Sequence, residues 1–77
     1  MSERLPRLTA KEMIRVLEQR GFALARSSGS HHIYKNPAGK RVTVPVHSGK
    51  TLHPKVLRSI LRDMEMAPEE LKQELGR

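Results

Sequence analysis

Seventy-seven residues carrying a net charge of +7 leave room for one domain and one small core. Aromatic residues make up 3% and cysteine is absent, so the core must be aliphatic and neither a disulfide nor a thiolate metal site is available. No stretch approaches the roughly 18 consecutive apolar residues of a membrane span, and Met1 to Arg7 hold no apolar run, so no secretory signal is expected and the cytoplasm is the default compartment.

Residues 1–8 read as a loose leader. Thr9-Ala10-Lys11-Glu12 has the form of a capping box. Ala10, Met13, Ile14 and Leu17 then recur on one helix face, and Gly21 is a fitting stop, which predicts a helix over about 10–20. Residues 22–28 are a candidate strand, with Phe22 and Leu24 on one face and Ala23 and Ala25 on the other. Ser28-Gly29-Ser30 signals a turn into a second strand over 31–36. Asn36-Pro37-Ala38-Gly39 is a hairpin loop, and the third strand covers 40–47, where Val42, Val44 and Val46 alternate with Arg41, Thr43 and Pro45. Pro45 lacks a backbone donor, which predicts an edge or a bulge there.

A loop over 48–53 leads to Pro54, which suits the first position of a second helix. Val56, Leu57, Ile60, Leu61 and Met64 mark the buried stripe of that helix. Pro68, Glu69 and Glu70 suit the start of a short last helix within a tail over 67–77, with Leu71 and Leu75 as its apolar edge. The expected fold class is α+β. A single domain over 1–77 has the order α-β-β-β-α, a three-stranded antiparallel sheet with helices packed on one face, and a short extra helix. That order is similar to a double-stranded-RNA-binding domain, a likeness of fold that does not by itself fix a function.

Charge placement is more informative than its size. From Gln19 to Arg62 there is no Asp or Glu, while the same stretch holds Arg20, Arg26, Lys35, Lys40, Arg41, Lys50, Lys55, Arg58, Arg62 and all four histidines. A one-sign surface of this kind attracts a polyanion by releasing its counterions. A membrane partner is disfavoured, because the cations do not lie along one amphipathic helix.

The run Gly29-Ser30-His31-His32 sits inside that stretch. Glycine permits a close backbone approach. An imidazole, with an ordinary pKa of about 6.5, can take the proton of a 2′-hydroxyl and so cut RNA without a metal. Taken alone, the run reads more readily as a tight turn followed by two strand histidines that merely hydrogen-bond, since a single histidine is weak evidence of catalysis. Adjacent His31 and His32 point to opposite faces of a strand, so they do not share an ion. His47 and His53 have no acid or cysteine beside them in sequence, so no metal site is expected. Tyr34 is either a core residue or a base-stacking one. If Tyr34 is inside, alternation leaves His31 on the open face; if Ile33 is inside, His31 is drawn inward.

Gly29-Ser30-His31-His32-Ile33-Tyr34 followed by Asn36-Pro37 resembles the central motif of the HicA family. Val42-Thr43-Val44-Pro45-Val46-His47 and Leu57-Arg58-Ser59-Ile60-Leu61-Arg62-Asp63 extend the resemblance over about residues 9–66. The resemblance implies a small toxin of a toxin–antitoxin pair, with a double-stranded-RNA-binding-like fold and messenger-RNA endoribonuclease activity. It also implies a HicB-like antitoxin that blocks the active site, and it favours Tyr34 inside. The histidine after Gly-Ser is catalytic in that family, which corresponds to His31; His32 is at most an assistant. Gly29 and Ser30 would support His31, and Lys35, Lys40, Arg41 and Lys50 are the expected phosphate contacts, with no cofactor. A non-catalytic RNA- or DNA-binding module of the same fold is the competing expectation.

Two departures concern the second helix. Family members often have Gly-Thr before Leu-Arg and Asp-Ala-Gly at the helix end. Here Lys55-Val56 and Asp63-Met64-Glu65 stand in those places, so Thr51 or His53 must cap the start and no glycine stops the end.

Overall fold

The computed structural model describes residues 5–76. The capping box forms as the sequence predicts. Glu12 N–H donates to Thr9 Oγ1 at 3.2 Å, and Thr9 N–H donates to Glu12 Oε1 at 2.9 Å. This starts helix α1 (Ala10–Gln19), which buries Ala10, Met13, Val16 and Leu17. Strands β1 (Ala23–Ser28), β2 (His31–Lys35) and β3 (Arg41–Pro45) follow, then helices α2 (Pro54–Met64) and α3 (Pro68–Leu75). The class is α+β and the strand order is β1-β2-β3, both pairings antiparallel. The first two strands are each one residue shorter than periodicity suggests, and the third, expected over 40–47, is three residues shorter.

Tyr34, Val42 and Val44 project from one face of the sheet into a single core with Met13, Leu17, Leu57 and Ile60. That face is the one the helices cover. Tyr34 is 4% exposed, which makes it a core residue and not a stacking platform. Leu24 departs from expectation. Its register partner is Tyr34, so it belongs to the covered face, yet it is 51% exposed because the helices lie over β3 and leave β1 bare.

Residues 5–8 are not loose. Leu8 is 1% exposed, its carbonyl accepts from Leu52 N–H at 2.8 Å, and Thr9 bridges Thr51. Leu5 also packs against the core. The rest of the expected leader, residues 1–4, lies outside the described residues.

His53 caps α2: its Nδ1 accepts from Lys55 N–H at 3.0 Å, and Pro54 takes the first turn. At the other end Glu65 occupies the left-handed conformation at φ 58°, the place where a glycine stop would sit without strain. Its carboxylate meets Lys40 Nζ at 2.8 Å. Helix α3 is integral to the fold, since Leu71 is fully buried. Arg20 ties α1 to α3 through Glu74 at 3.0 Å and Glu70 at 3.7 Å. No helix among the described residues is long and apolar enough to cross a membrane.

Candidate nucleic-acid interface

The turn between β1 and β2 consists of two residues, Gly29 and Ser30. Gly29 has φ 58°, whereas Ser30 is not in the positive region, which is the pattern of a type II′ hairpin turn with glycine at its first central position. Val46 N–H donates to Ser30 O at 2.6 Å, so the ladder between β2 and β3 continues past the strand ends and holds the turn in place. That bond also sets the alternation along the pair. His31 and Pro45 are opposite one another in a non-hydrogen-bonded position, and the donor that Pro45 lacks would face the outer edge of β3. The edge expected at Pro45 is therefore present and costs no ladder bond.

Residues paired across antiparallel strands share a face. His31 pairs with Ser28 on one side and Pro45 on the other; Ile33 pairs with Arg26 and Thr43; Lys35 pairs with Ala23 and Arg41. These nine residues form a grid on the face opposite the core. His31, Arg26, Lys35 and Arg41 are all exposed. Successive rows are two residues apart, about 7 Å along the strand. Lys35 and Arg41 are like charges directly opposite each other, an arrangement that costs stability unless an anion lies over it.

His32 projects the other way. It pairs with Ser27 and Val44 and lies half-buried on the helix side. The structure thus separates the two histidines and leaves only His31 on the open face.

The other expected phosphate contacts divide. Lys35 and Arg41 are on the grid. Lys40 is in the hairpin loop, where Glu65 holds its ammonium group. Lys50 is exposed in the loop after β3, and its N–H donates to His47 O at 3.2 Å.

Arg26 and Ser28 were not expected at the site. The register shifts between Leu24 and Arg26, so Ala25 is the extra residue of a β-bulge. Strict alternation through Ala25 would turn Arg26 to the helix side. The bulge turns it, and Ser28, to the side of His31. Nothing in Ala23-Leu24-Ala25 marks a bulge, and only the half-polar end of the strand, Arg26-Ser27-Ser28, hints that its register is not simple.

The grid is open rather than pocketed. The deeper grooves lie elsewhere, one between residues 5–7 and the start of α2, another between α1 and residues 46–49. A small-molecule site would be concave, whereas an open cationic face suits a polymer. Among the described residues, no three His, Asp or Glu side chains come together in a way that could hold a metal ion.

No curated protein matches the chain. A family described as the HicA toxin of bacterial toxin–antitoxin systems matches residues 10–66, which span both helices that flank the sheet and the whole of the grid. On that match, covering well over half of the 77 residues, the chain belongs to the HicA toxin family.

Proposed function

We propose that the protein is a metal-independent endoribonuclease toxin acting on messenger RNA in the cytoplasm, with His31 as its catalytic base. The observation that carries this reading is the position of His31 on an open sheet face with Arg26, Lys35 and Arg41 and no carboxylate in the grid.

In this mechanism RNA lies along β2. The imidazole of His31 takes the proton of a 2′-hydroxyl. The 2′-oxygen attacks the adjacent phosphorus, a P–O2′ bond forms and the P–O5′ bond breaks. Water, which reaches this exposed face freely, protonates the departing 5′-oxygen. The products are a 2′,3′-cyclic phosphate and a 5′-hydroxyl. Arg26, one row from His31, is placed to offset the charge that builds on the phosphorus oxygens, and Lys35 and Arg41 hold the next phosphates. A guanidinium suits that task through its paired donors. Ser28, paired with His31 across the hairpin, shares its face and is placed to meet the substrate phosphate beside the imidazole, and Ser30 supports His31 from the turn. Gly29 leaves the space over the turn open, since a Cβ there would meet nothing within 4 Å.

A toxin of this kind has an antitoxin partner. The acid-free grid suits an acidic HicB-like surface, so one face serves both substrate and inhibitor.

The test is a short RNA carrying a single 2′-deoxy nucleotide at a mapped cleavage site, incubated with the protein in excess chelator. The reading expects cleavage everywhere except at the deoxy position, with cyclic phosphate ends. Binding with no cleavage of the all-RNA strand would favour a non-catalytic module instead.

A further inference from the structure

The outward side of α2 carries a second cationic surface, back to back with the grid. Helix α2 buries Leu57, Ile60, Leu61 and Met64 against the sheet. Lys55, Arg58 and Arg62, at i, i+3 and i+7, lie on the opposite side of the helix and are all exposed. They span about 10 Å of helix axis. The sheet lies between this ridge and His31, so an RNA strand lying flat on the grid does not touch it.

Stability alone does not account for the ridge. The first turn of α2 holds no acidic residue and instead carries Lys55, whose charge opposes the helix dipole. Arg58 and Arg62, four apart, repel each other. Arg62 gains from its place in the last turn, but Arg58 has no such gain. Local choices that work against the fold mark functional positions.

We infer that Lys55, Arg58 and Arg62 form a second binding surface for the phosphate backbone of base-paired RNA, separate from the face that bears His31. The partner is a nucleic acid and not a protein because the apolar side chains beside Arg58 and Arg62 are already spent on the core: Leu61 and Met66 are buried and Leu5 packs against the core, so none stands out as an anchor. Specific protein interfaces are built around buried aromatic or aliphatic anchors, and Leu24, the large hydrophobic side chain most exposed among the described residues, is on β1. A duplex fits better than a single strand because its phosphates are already fixed in a row, so beyond the three side chains themselves little has to be ordered on binding. The protein would then grip a stem with α2 while presenting the grid to an unpaired segment.

The inference does not depend on the role of His31, and its test keeps the two apart. The His31→Ala protein, which leaves RNA intact if His31 is the base, serves as background. Lys55, Arg58 and Arg62 are changed together to Gln, which preserves helix propensity and most of each side chain's stem. Binding to a 20-base-pair RNA duplex and to an unstructured RNA of equal length is measured across a salt series, beside the thermal unfolding midpoint. The triple change is expected to weaken duplex binding about tenfold or more and to lower the salt slope by about 2 to 3. Single-strand binding should be unchanged, and the unfolding midpoint equal or higher. An unchanged duplex slope would overturn the inference. So would a lowered unfolding midpoint, which would make these residues structural. Binding to polyglutamate is measured in parallel, and a loss confined to it would overturn the inference and reassign the ridge to an acidic protein. If cleavage by the unmodified protein proves not to need His31, the binding result stands or falls on its own.

Discussion

Ser28 and His31 face each other across the first hairpin, the last pair before the Gly29-Ser30 turn, and both lie on the side of the sheet that the helices leave bare. This pairing fixes the direction of the imidazole. The backbone of His31 pairs with Ser28 of β1, and the Ser30 carbonyl before it accepts from Val46 just past β3, so its side chain leaves a rigid platform and not a loop.

The turn that closes this pair depends on Gly29. Its φ of 58° strains an L-residue, and its Cβ position is empty space, so the cost of Gly29→Ala is backbone strain alone. The substitution is expected to lower stability by about 1 to 2 kcal/mol. Urea unfolding checks this. D-alanine at position 29 of a synthetic chain should restore most of the loss, and failure to restore it would show that the side chain collides with something.

His53 has a structural role that its chemistry could disguise. His53→Ala removes the acceptor for Lys55 N–H and is expected to cost about 1 kcal/mol, while His53→Asn keeps a capping side chain and should cost less than half of that. RNA cleavage per folded molecule should be unchanged in both. A fall in turnover without a fall in stability would place His53 in the chemistry.

Glu65 stands where a glycine would be free of strain. Glu65→Gly gives up an exposed ion pair with Lys40, worth at most about 1 kcal/mol, and relieves a left-handed residue that costs about 1 to 2 kcal/mol. The net expectation is a modest gain in stability, about 0.5 kcal/mol, read from a higher denaturant midpoint. A loss would mean that the pair with Lys40 anchors the hairpin to α2 more firmly than its exposure suggests.

Tyr34 sets an alkaline limit. Burial pushes its phenol above the ordinary value of 10.0, and the nearby Glu18 carboxylate adds to the shift. The stability this group contributes is fully present below the unfolded value. It is lost as pH rises from there towards the folded value, because the unfolded chain releases the proton first. Urea midpoints between about pH 8 and 11 should fall more steeply for the wild type than for Tyr34→Phe. Parallel curves would show that the phenol titrates alike in both states.

Local signals carried much of this architecture. The Thr9–Glu12 box, Pro54, Pro68 and the valine alternation of β3 each depend on a few neighbouring residues, and each element begins within a residue of its signal. What stayed hidden depends on partners distant in sequence. The side to which His31 points follows from Tyr34 being inside, which family resemblance suggested and packing decides. The engagement of Lys40 by Glu65 joins residues 25 apart and has no local mark. Arg26 and Ser28 reach the open face through a bulge at Ala25 that alternation cannot register. The segment at 5–8 is pinned by Leu52, which only the closed fold brings near.

The central claim is that one of two adjacent histidines does the chemistry because only one is on the open face. The most direct measurement compares kcat/KM for RNA cleavage in excess chelator for the wild type, His31→Ala and His32→Ala, each verified as folded. The account predicts a loss of about 100-fold to 10,000-fold for His31→Ala, the range for removing a general base, and a change of no more than a few-fold for His32→Ala. Cleavage that survives in His31→Ala, or that disappears equally in His32→Ala without loss of fold, would contradict it.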